Sequence, residues 1–361
     1  MAPGTMRRWL ARAVLGLLAL GGLLLGGLVW LEWRPDALQE TPVVAGSPDA
    51  PPAGAELRLL TWNLGYAGLD ASADFFMDGG LQSRARDRAT VELNLEGALA
   101  FLLAHPADAL LLQEVDSPSS RSHQVDQVEL LARALPQLYL TRALNYRAAW
   151  VPAPLFAPMG RVESGLVTLT RARPSVAVRR QLPGDFAWPV RVFQLKRCVH
   201  EVRLPAPDGK AWVLLHHHLA TFDQAGRIRR EQMTFLRALM LELAGLGHHV
   251  VVGGDWNQAF PGLHAGSFSG EEPVPDWYQE IPADWTPPGF TWAFDREVPS
   301  LRSTRTPYRP GHTFRTSVDG FLLGPGVELE SVRTHDLGFA HSDHNPVEVR
   351  VRLEPSTGTP P

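Results

Sequence analysis

Two spacings of apolar residues share most of this chain. Short apolar runs bounded by glycine, proline or polar clusters predict strands at Leu57 to Trp62, Ala109 to Leu112, Gly165 to Thr170, Val176 to Val178, Val250 to Val252, Val318 to Leu323 and Val347 to Leu353. Cys198 to Leu204 and Trp212 to His218 read as a hairpin across the turn Asp208, Gly209, Lys210. Between the strands, apolar residues three and four apart predict amphipathic helices. One is carried by Leu95, Leu99, Leu102 and Leu103, a second by Val128, Leu131, Ala132 and Leu135, and a third by Phe235, Leu236, Leu239 and Leu243. Helices interleaved with strands and hairpins point to a layered α/β domain.

The amino-terminal segment obeys neither spacing. Ala13 to Leu31 has no charge and is nearly all Leu, Val, Ala and Gly, long enough at helical rise to cross most of a bilayer, with Trp30 and Trp33 at the far interface. Arg7, Arg8 and Arg12 precede it, so the positive-inside rule leaves the amino terminus cytoplasmic and the domain outside. A retained anchor is favoured over a cleaved signal, which would give a secreted protein, because Glu32, Trp33 and Arg34 follow the run instead of a small-residue cleavage site. The division is then a basic cytoplasmic segment 1–12, a membrane anchor 13–33, an extended Pro/Ala/Gly-rich tether 34–55 with no core of its own, a domain 56–354 and a disordered tail 355–361.

With 361 residues and 45% apolar side chains, the chain allows one large domain or two small ones around a real core. Net charge is -4, and nothing in it demands a nucleic-acid partner. The lone Cys198 excludes an internal disulfide, and there is neither a repeat nor a zinc-type cluster of Cys and His.

Candidate chemistry gathers at the ends of the predicted strands. VVGGDWNQ runs from a buried strand through Gly253 and Gly254 into Asp255 and Asn257, two apart and able to project to one side. Asn63 lies in LLTWNLGY, Glu114 in ALLLQEVD, His218 in VLLHHHLATF, and Asp343 and His344 in HSDHNPVEV. A carboxylate such as Glu114 at the end of a buried strand is costly unless it is paired or coordinated. Each motif alone is also compatible with an ordinary turn.

In this order and context the motifs resemble the endonuclease/exonuclease/phosphatase superfamily, over Glu56 to about Leu353. The resemblance implies a four-layered α/β sandwich, two packed mixed β-sheets flanked by helices, with the active site at one end. It implies Mg²⁺, with Mn²⁺ possible, anchored by Glu114 and assisted by Asp343 and by the amide oxygen of Asn63. His344 with Asp319, in SVDGFLLG, matches the family's histidine and its orienting carboxylate. Asp255 matches the residue that orients or deprotonates water, and the base role stays open between Asp255 and His344. Asn257 would hydrogen-bond a phosphate oxygen. His218 would protonate the leaving oxygen or stabilise transition-state charge. His216 shares its strand face and His217 opposes it.

Arg302, Arg305, Arg309 and Arg315 fall in a stretch without acidic residues between Glu297 and Asp319, and read either as a phosphate grip or as a solvated loop. The segment GYAGLDASADFFMDGG after Asn63 resembles a bacterial subfamily that shares FFMDGG and the GGDWN form, and reads as a loop at the active-site rim. The function expected is a membrane-anchored, Mg²⁺-dependent phosphoester hydrolase acting on nucleic acid, phospholipid or a phosphorylated small molecule, whose other partner is the membrane itself. The competing class is a non-catalytic binding module at the membrane; such modules usually lose a metal or base residue, and none is missing here. No protein partner is expected.

Overall fold

The structure is a computed structural model that describes residues 3–44, 46–223, 226–268 and 270–354. The expected disordered tail 355–361 lies outside the described residues. Strands are numbered in chain order. One seven-stranded sheet runs, in space, β1 (Leu38–Glu40), β6 (Val176–Gln181), β7 (Cys198–Pro205), β8 (Ala211–His218), β9 (His249–Asp255), β13 (Asp319–Leu323) and β10 (Thr291–Ala293). A six-stranded sheet runs β14 (Val327–Thr334), β15 (Val347–Leu353), β2 (Glu56–Asn63), β3 (Ala109–Asp116), β5 (Gly160–Thr170) and β4 (Tyr139–Val151). β11 (Leu301–Arg302) and β12 (Arg315–Thr316) form a small separate ribbon. The helices are α1 (Pro3–Leu31), α2 (Arg88–Ala104), α3 (Gln127–Ala134) and α4 (Arg227–Gly245).

The layers follow from which residues are buried together. Alternate residues of β2, β3, β8, β9, β13 and β15, among them Leu59, Leu111, Leu214, Val251, Phe321 and Val349, face one another and form the core between the sheets. The other face of the six-stranded sheet packs through Leu60, Trp62, Leu112 and Leu169 on Phe101 and Leu102 of α2 and Leu131 of α3. The other face of the seven-stranded sheet packs through Val213, Leu215, Val250 and Val252 on Leu236, Met240 and Leu243 of α4. Helix, sheet, sheet, helix is the expected four-layered sandwich. α2 and α3 start where Asp87 and Asp126 accept the backbone N–H of Thr90 and Glu129.

Every run read as a strand is one, although Val318 lies just outside β13, and the hairpin is present as β7 and β8. The helix face differs by one residue: Leu103 is exposed and Phe101 takes its place against the sheet. Two long strands escaped the pattern, as did the two- and three-residue strands β1, β10, β11 and β12. β4 alternates imperfectly, with Arg142, Asn145 and Arg147 inside it, and β14 is an edge strand whose outward positions carry Glu328, Glu330 and Arg333.

The tether is corrected most. Leu38 to Glu40 pair with Val178 to Arg180 of β6, Val44 bridges Leu140, and Ala53 is buried in the inter-sheet core. Unpaired edge groups on β6 and β4 recruit this segment, so the folded body begins well before Glu56. Ahead of it, Arg7 to Leu31 is one helix long and apolar enough to cross a membrane by length and composition, with none of its most apolar window buried in the protein.

Buried histidines make the body acid-sensitive. His217 is fully buried and lies edge-on to Trp256 at 4.3 Å between ring centroids. Burial pushes its imidazole down to about 3. Between that value and about 6.5 the unfolded chain binds the proton and the folded chain does not, so stability is full above pH 6.5 and falls as the pH drops. His217→Leu should therefore gain on the wild type by about 2 kcal/mol between pH 7 and pH 5, at about 1.4 kcal/mol per unit below 6.5. Urea unfolding at the two pH values measures this, and a constant difference would refute it.

Candidate active site

Strand register brings the motifs to one end of the sandwich. β2 and β3 are parallel with Asn63 opposite Gln113, and β8 and β9 are parallel with His218 opposite Asp255. β13 runs antiparallel to β9 and places Asp319 opposite Asp255. Asp343 and His344 precede β15, antiparallel to β2, and so reach the same end. The two glycines of the central motif answer to crowding. A Cβ on Gly254, at φ 141°, would lie 2.0 Å from the His217 carbonyl oxygen, and one on Gly253 would strike the Phe321 ring at 2.5 Å.

Two of the polar residues are held in left-handed backbone, Glu114 at φ 53° and Asn257 at φ 52°. Non-glycine residues avoid this region, at a cost of about 1–3 kcal/mol. At Glu114 the conformation coincides with an irregularity in the β3–β5 ladder between Leu112 and Val115, which turns the carboxylate out of the strand's alternation.

The side chains meet around Asp255. Its Oδ2 accepts a hydrogen bond from Asn63 Nδ2 at 3.0 Å, lies 3.3 Å from His218 Nε2 and 3.8 Å from His344 Nε2, while its Oδ1 accepts the Asn257 N–H at 2.8 Å. Asn63 Nδ2 also lies 3.5 Å from Glu114 Oε1, between two carboxylates. His344 Nδ1 is 2.7 Å from Asp319 Oδ2, and Ser300 Oγ donates to that same oxygen at 2.7 Å. The Trp62 indole donates to the His344 carbonyl at 2.9 Å, and Ser342 Oγ donates to the Asn63 carbonyl at 2.7 Å, fastening the segment before β15 to the end of β2. A pocket of about 100 Å³ is lined by Asn63, Glu114, His218, Asp255, Asn257, Asp343 and His344, with Arg197 among its walls.

Electrostatics separates these groups. Burial, then the charge of Asp319, pushes Asp255 up to about 7. Burial also raises Asp343. For His344 burial opposes the charged form, but Asp319 outweighs it with help from Asp343 and Asp255, and the imidazole rises to about 10. His218 goes the other way, far below its ordinary value, because burial and then the Arg197 and His344 charges disfavour a second cation.

Two expectations, for Asn63 and for the loop arginines, change with the geometry, and Asn257 gains a structural bond besides its place in the pocket. Asn63 Oδ1 accepts the Gly65 N–H at 3.0 Å, so its amide nitrogen, and not its oxygen, faces the carboxylates. Asn257 spends one amide hydrogen on the Leu219 carbonyl at 2.8 Å, bracing the segment after β8. Arg302 is buried, and its guanidinium donates to the carbonyls of Leu69, Asp70, Ala73 and Ser303. Four carbonyls hold the two terminal nitrogens of this fork as a clamp on the 65–80 loop, while its Nε has no partner among the described residues and the side chain forms part of the pocket wall. Among the described residues Arg305, Arg309 and Arg315 do not line the pocket; Arg309 is exposed. The 65–80 loop is at the rim as expected, fixed by Arg302 and by Asp78, which accepts from Trp277 Nε1 at 2.7 Å and the Thr304 N–H at 2.6 Å.

Cationic roles pass to two arginines that the motifs did not mark. Arg121 bridges Glu114 at 3.2 Å and Asp116 at 2.8 Å, and Arg197 lines the pocket while donating to the His218 carbonyl at 2.9 Å. Burial lowers Arg197 to about 10, against the pull of Asp255 and Glu114, so it remains charged at neutral pH. The predicted hairpin held the signal for Arg197: with Val199 opposite His217, the residue just before β7 falls beside the end of β8. Arg121, in the serine-rich stretch SPSSRSH, had no periodic context to reveal it.

Among the described residues, Asp255, Asp319 and His344 each bring a ligand-type atom within 4.8 Å of the others, which is close enough to share a metal ion. The short His344–Asp319 hydrogen bond occupies one ring nitrogen and one carboxylate oxygen, while Asp319 Oδ1 is buried without a partner among the described residues. Glu114, Asp255 and Asp343 supply the remaining carboxylates of the pocket.

Paired carboxylates, a carboxylate-held imidazole and buried arginines at the end of a two-sheet sandwich define a phosphoester-hydrolysing enzyme. The chain belongs to the Endonuclease/Exonuclease/phosphatase family, whose model matches residues 60–344. None of the curated proteins matches the sequence. Solved structures share the fold. An endonuclease/exonuclease/phosphatase from Beutenbergia cavernae is 19% identical, with 82% of this chain and 72% of that one covered at a TM-score of 0.54. One from Bacteroides vulgatus is 14% identical, covering 83% and 99% at 0.52. D. rerio TDP2 complexed with single strand DNA product is 13% identical, covering 82% and 99% at 0.51.

Proposed function

We propose that the protein is a Mg²⁺-dependent phosphodiester hydrolase, held at the cell membrane by Ala13 to Leu31 with its domain on the extracytoplasmic side. The supporting observation is Asp255, which one pocket surrounds with Asn63, His218, His344 and, across the Asn63 amide, Glu114. The donor set fits a hard divalent cation: Asp255 and Asp343 are pushed up by burial, and the pocket offers carboxylates and an amide but no thiol. Glu114 and Asp343 would hold Mg²⁺, or Mn²⁺ in its place, with Asn63 beside them. Held there, it would supply Lewis-acid polarisation of a phosphoryl oxygen and a more acidic water.

The chain's own groups divide the remaining work. Asp255, pushed up to about 7, is basic enough to take a proton from the attacking water. His344, held by Asp319 as an imidazolium, turns a positive Nε2 toward the same point. Neutral His218 offers an N–H to developing charge, as a preorganised dipole that need not reorganise. Arg197 adds a buried positive charge. With net charge -4, Arg305, Arg309 and Arg315 outside the pocket and the terminal nitrogens of Arg302 engaged by loop carbonyls, the reading favours lipid or small-molecule phosphoesters over nucleic acid.

Hydrolysis of bis(4-nitrophenyl) phosphate should vanish with EDTA and return with Mg²⁺. Its rate should rise with pH as Asp255 loses its proton, at a pH that bound Mg²⁺ draws below the metal-free value of about 7, and fall at alkaline pH as His344 loses its own. Asp319→Asn removes the charge that holds His344 up, so the alkaline limb should move to lower pH. Activity indifferent to EDTA would overturn the reading.

A further inference from the structure

Beside the catalytic pocket is a cavity of about 460 Å³ whose walls are apolar while its inner end is charged. The size is that of an ordinary small-molecule site, about 300–1,000 Å³. Its walls come from four places: Phe76 and Met77 of the rim loop, Tyr146 and Met159 of the β4–β5 hairpin, Phe193 of the segment before β7, and Ile228 of α4. Phe75, Glu114, Arg197, Thr221 and Phe222 line this cavity and the catalytic pocket alike, so the two are continuous at the carboxylate assigned to the metal.

Next in the chain to lining residues of the cavity stand large exposed apolar side chains. Phe156 is 98% exposed and Leu155 78%, at the tip of the β4–β5 hairpin, and Trp150, Trp188 and Val190 are exposed near them. Large exposed apolar groups gathered at one place mark a contact surface. The end of α1 is fastened to the same rim. Glu32, the residue after it, pairs with Arg191 at 2.9 Å and Lys196 at 3.7 Å, and Trp33 lies under the Arg179 guanidinium at 5.4 Å. Val190 and Phe193, which wall the cavity, therefore flank the arginine that holds the point where the apolar helix leaves the body.

We infer that this cavity takes the hydrocarbon chain of a lipid-embedded phosphoester, while its phosphate lies against Glu114 and Asp255 and the aromatic rim meets the lipid surface. The inference rests on the phosphoester-hydrolase reading above and deepens it. A nucleotide strand leaves such a cavity unused; an alkyl chain fills it, drawn from water at roughly fourfold in affinity per methylene.

The test uses the full chain in phospholipid nanodiscs and compares 4-nitrophenyl ethyl phosphate with 4-nitrophenyl octyl phosphate, in wild type and in Val190→Asp and Met77→Asp. Both substitutions are at partly exposed wall positions and put a charge where the chain would lie. The octyl-to-ethyl ratio of kcat/KM should be high in wild type and fall about tenfold or more in both variants. Partitioning into the disc is common to all three proteins and cancels. A ratio unchanged by either substitution overturns the chain site while leaving the hydrolase reading intact. If neither ester is cleaved, the hydrolase reading fails. Titration with a fluorescent long-chain alkyl phosphate then decides the cavity: binding that is lost in Val190→Asp sustains it, and binding equal in both proteins, or none, overturns it.

Discussion

Glu114→Gln abolishes phosphoester hydrolysis, by about 10³-fold or more, in a protein that remains folded. Lewis-acid stabilisation by a bound cation contributes several kcal/mol to a transition state, and Gln keeps the shape of the side chain while removing its charge. The fold should tolerate the change. Glu114 pairs with Arg121, but Arg121 keeps both oxygens of Asp116, at 2.8 and 3.1 Å, and so is not left as an unpaired buried charge. The left-handed backbone that Glu114 adopts is no worse for Gln. Calorimetric titration with Mg²⁺ separates the outcomes: lost affinity with unchanged thermal unfolding places Glu114 on the metal. Equal affinity in mutant and wild type removes it from that role.

His218→Ala is expected to cost about 10²–10³-fold, and to cost it equally on an alkyl diester and on a nitrophenyl ester. The sequence left two roles open, proton donor to the leaving oxygen or stabiliser of charge. Burial, with Arg197 and His344 nearby, keeps the imidazole neutral, and a neutral imidazole is a poor acid but a sound hydrogen-bond donor. Nitrophenolate leaves without a proton, so loss of an acid would spare the aryl ester, whereas loss of charge stabilisation harms both substrates. A hundreds-fold loss confined to the alkyl diester would restore proton donation to His218. His217, on the other face of β8 against Trp256, should matter far less to turnover.

The order of the site was legible because strand ends are local facts. An apolar run predicts a buried strand, its last polar residue must sit where the strand leaves the core, and so Asn63, Glu114, His218 and Asp255 were found as residues of strand ends before any contact was known. The alternation along β8 likewise put His216 and His218 on one face: His216 meets Gln113 and Thr168 inside the sandwich while His218 meets Asp255. Family resemblance, and not spacing, paired Asp319 with His344, which are 25 residues apart and 2.7 Å distant.

What the sequence by itself determined, then, was periodicity: which segments are buried, which faces they bury, and which polar residues end them. What only the tertiary structure decided depends on where distant segments meet. Arg302 reads as a free cation until three carbonyls of the 69–73 loop are seen around its guanidinium. Residues 38–44 read as a tether until the open edges of β6 and β4 are seen to offer them hydrogen bonds. The apolar cavity draws its walls from four separated segments and leaves no trace in any one of them. The protonation of His218, His344 and Asp255 was beyond sequence for the same physical reason, because burial and Coulomb interaction act through space at a few ångströms and are blind to distance along the chain.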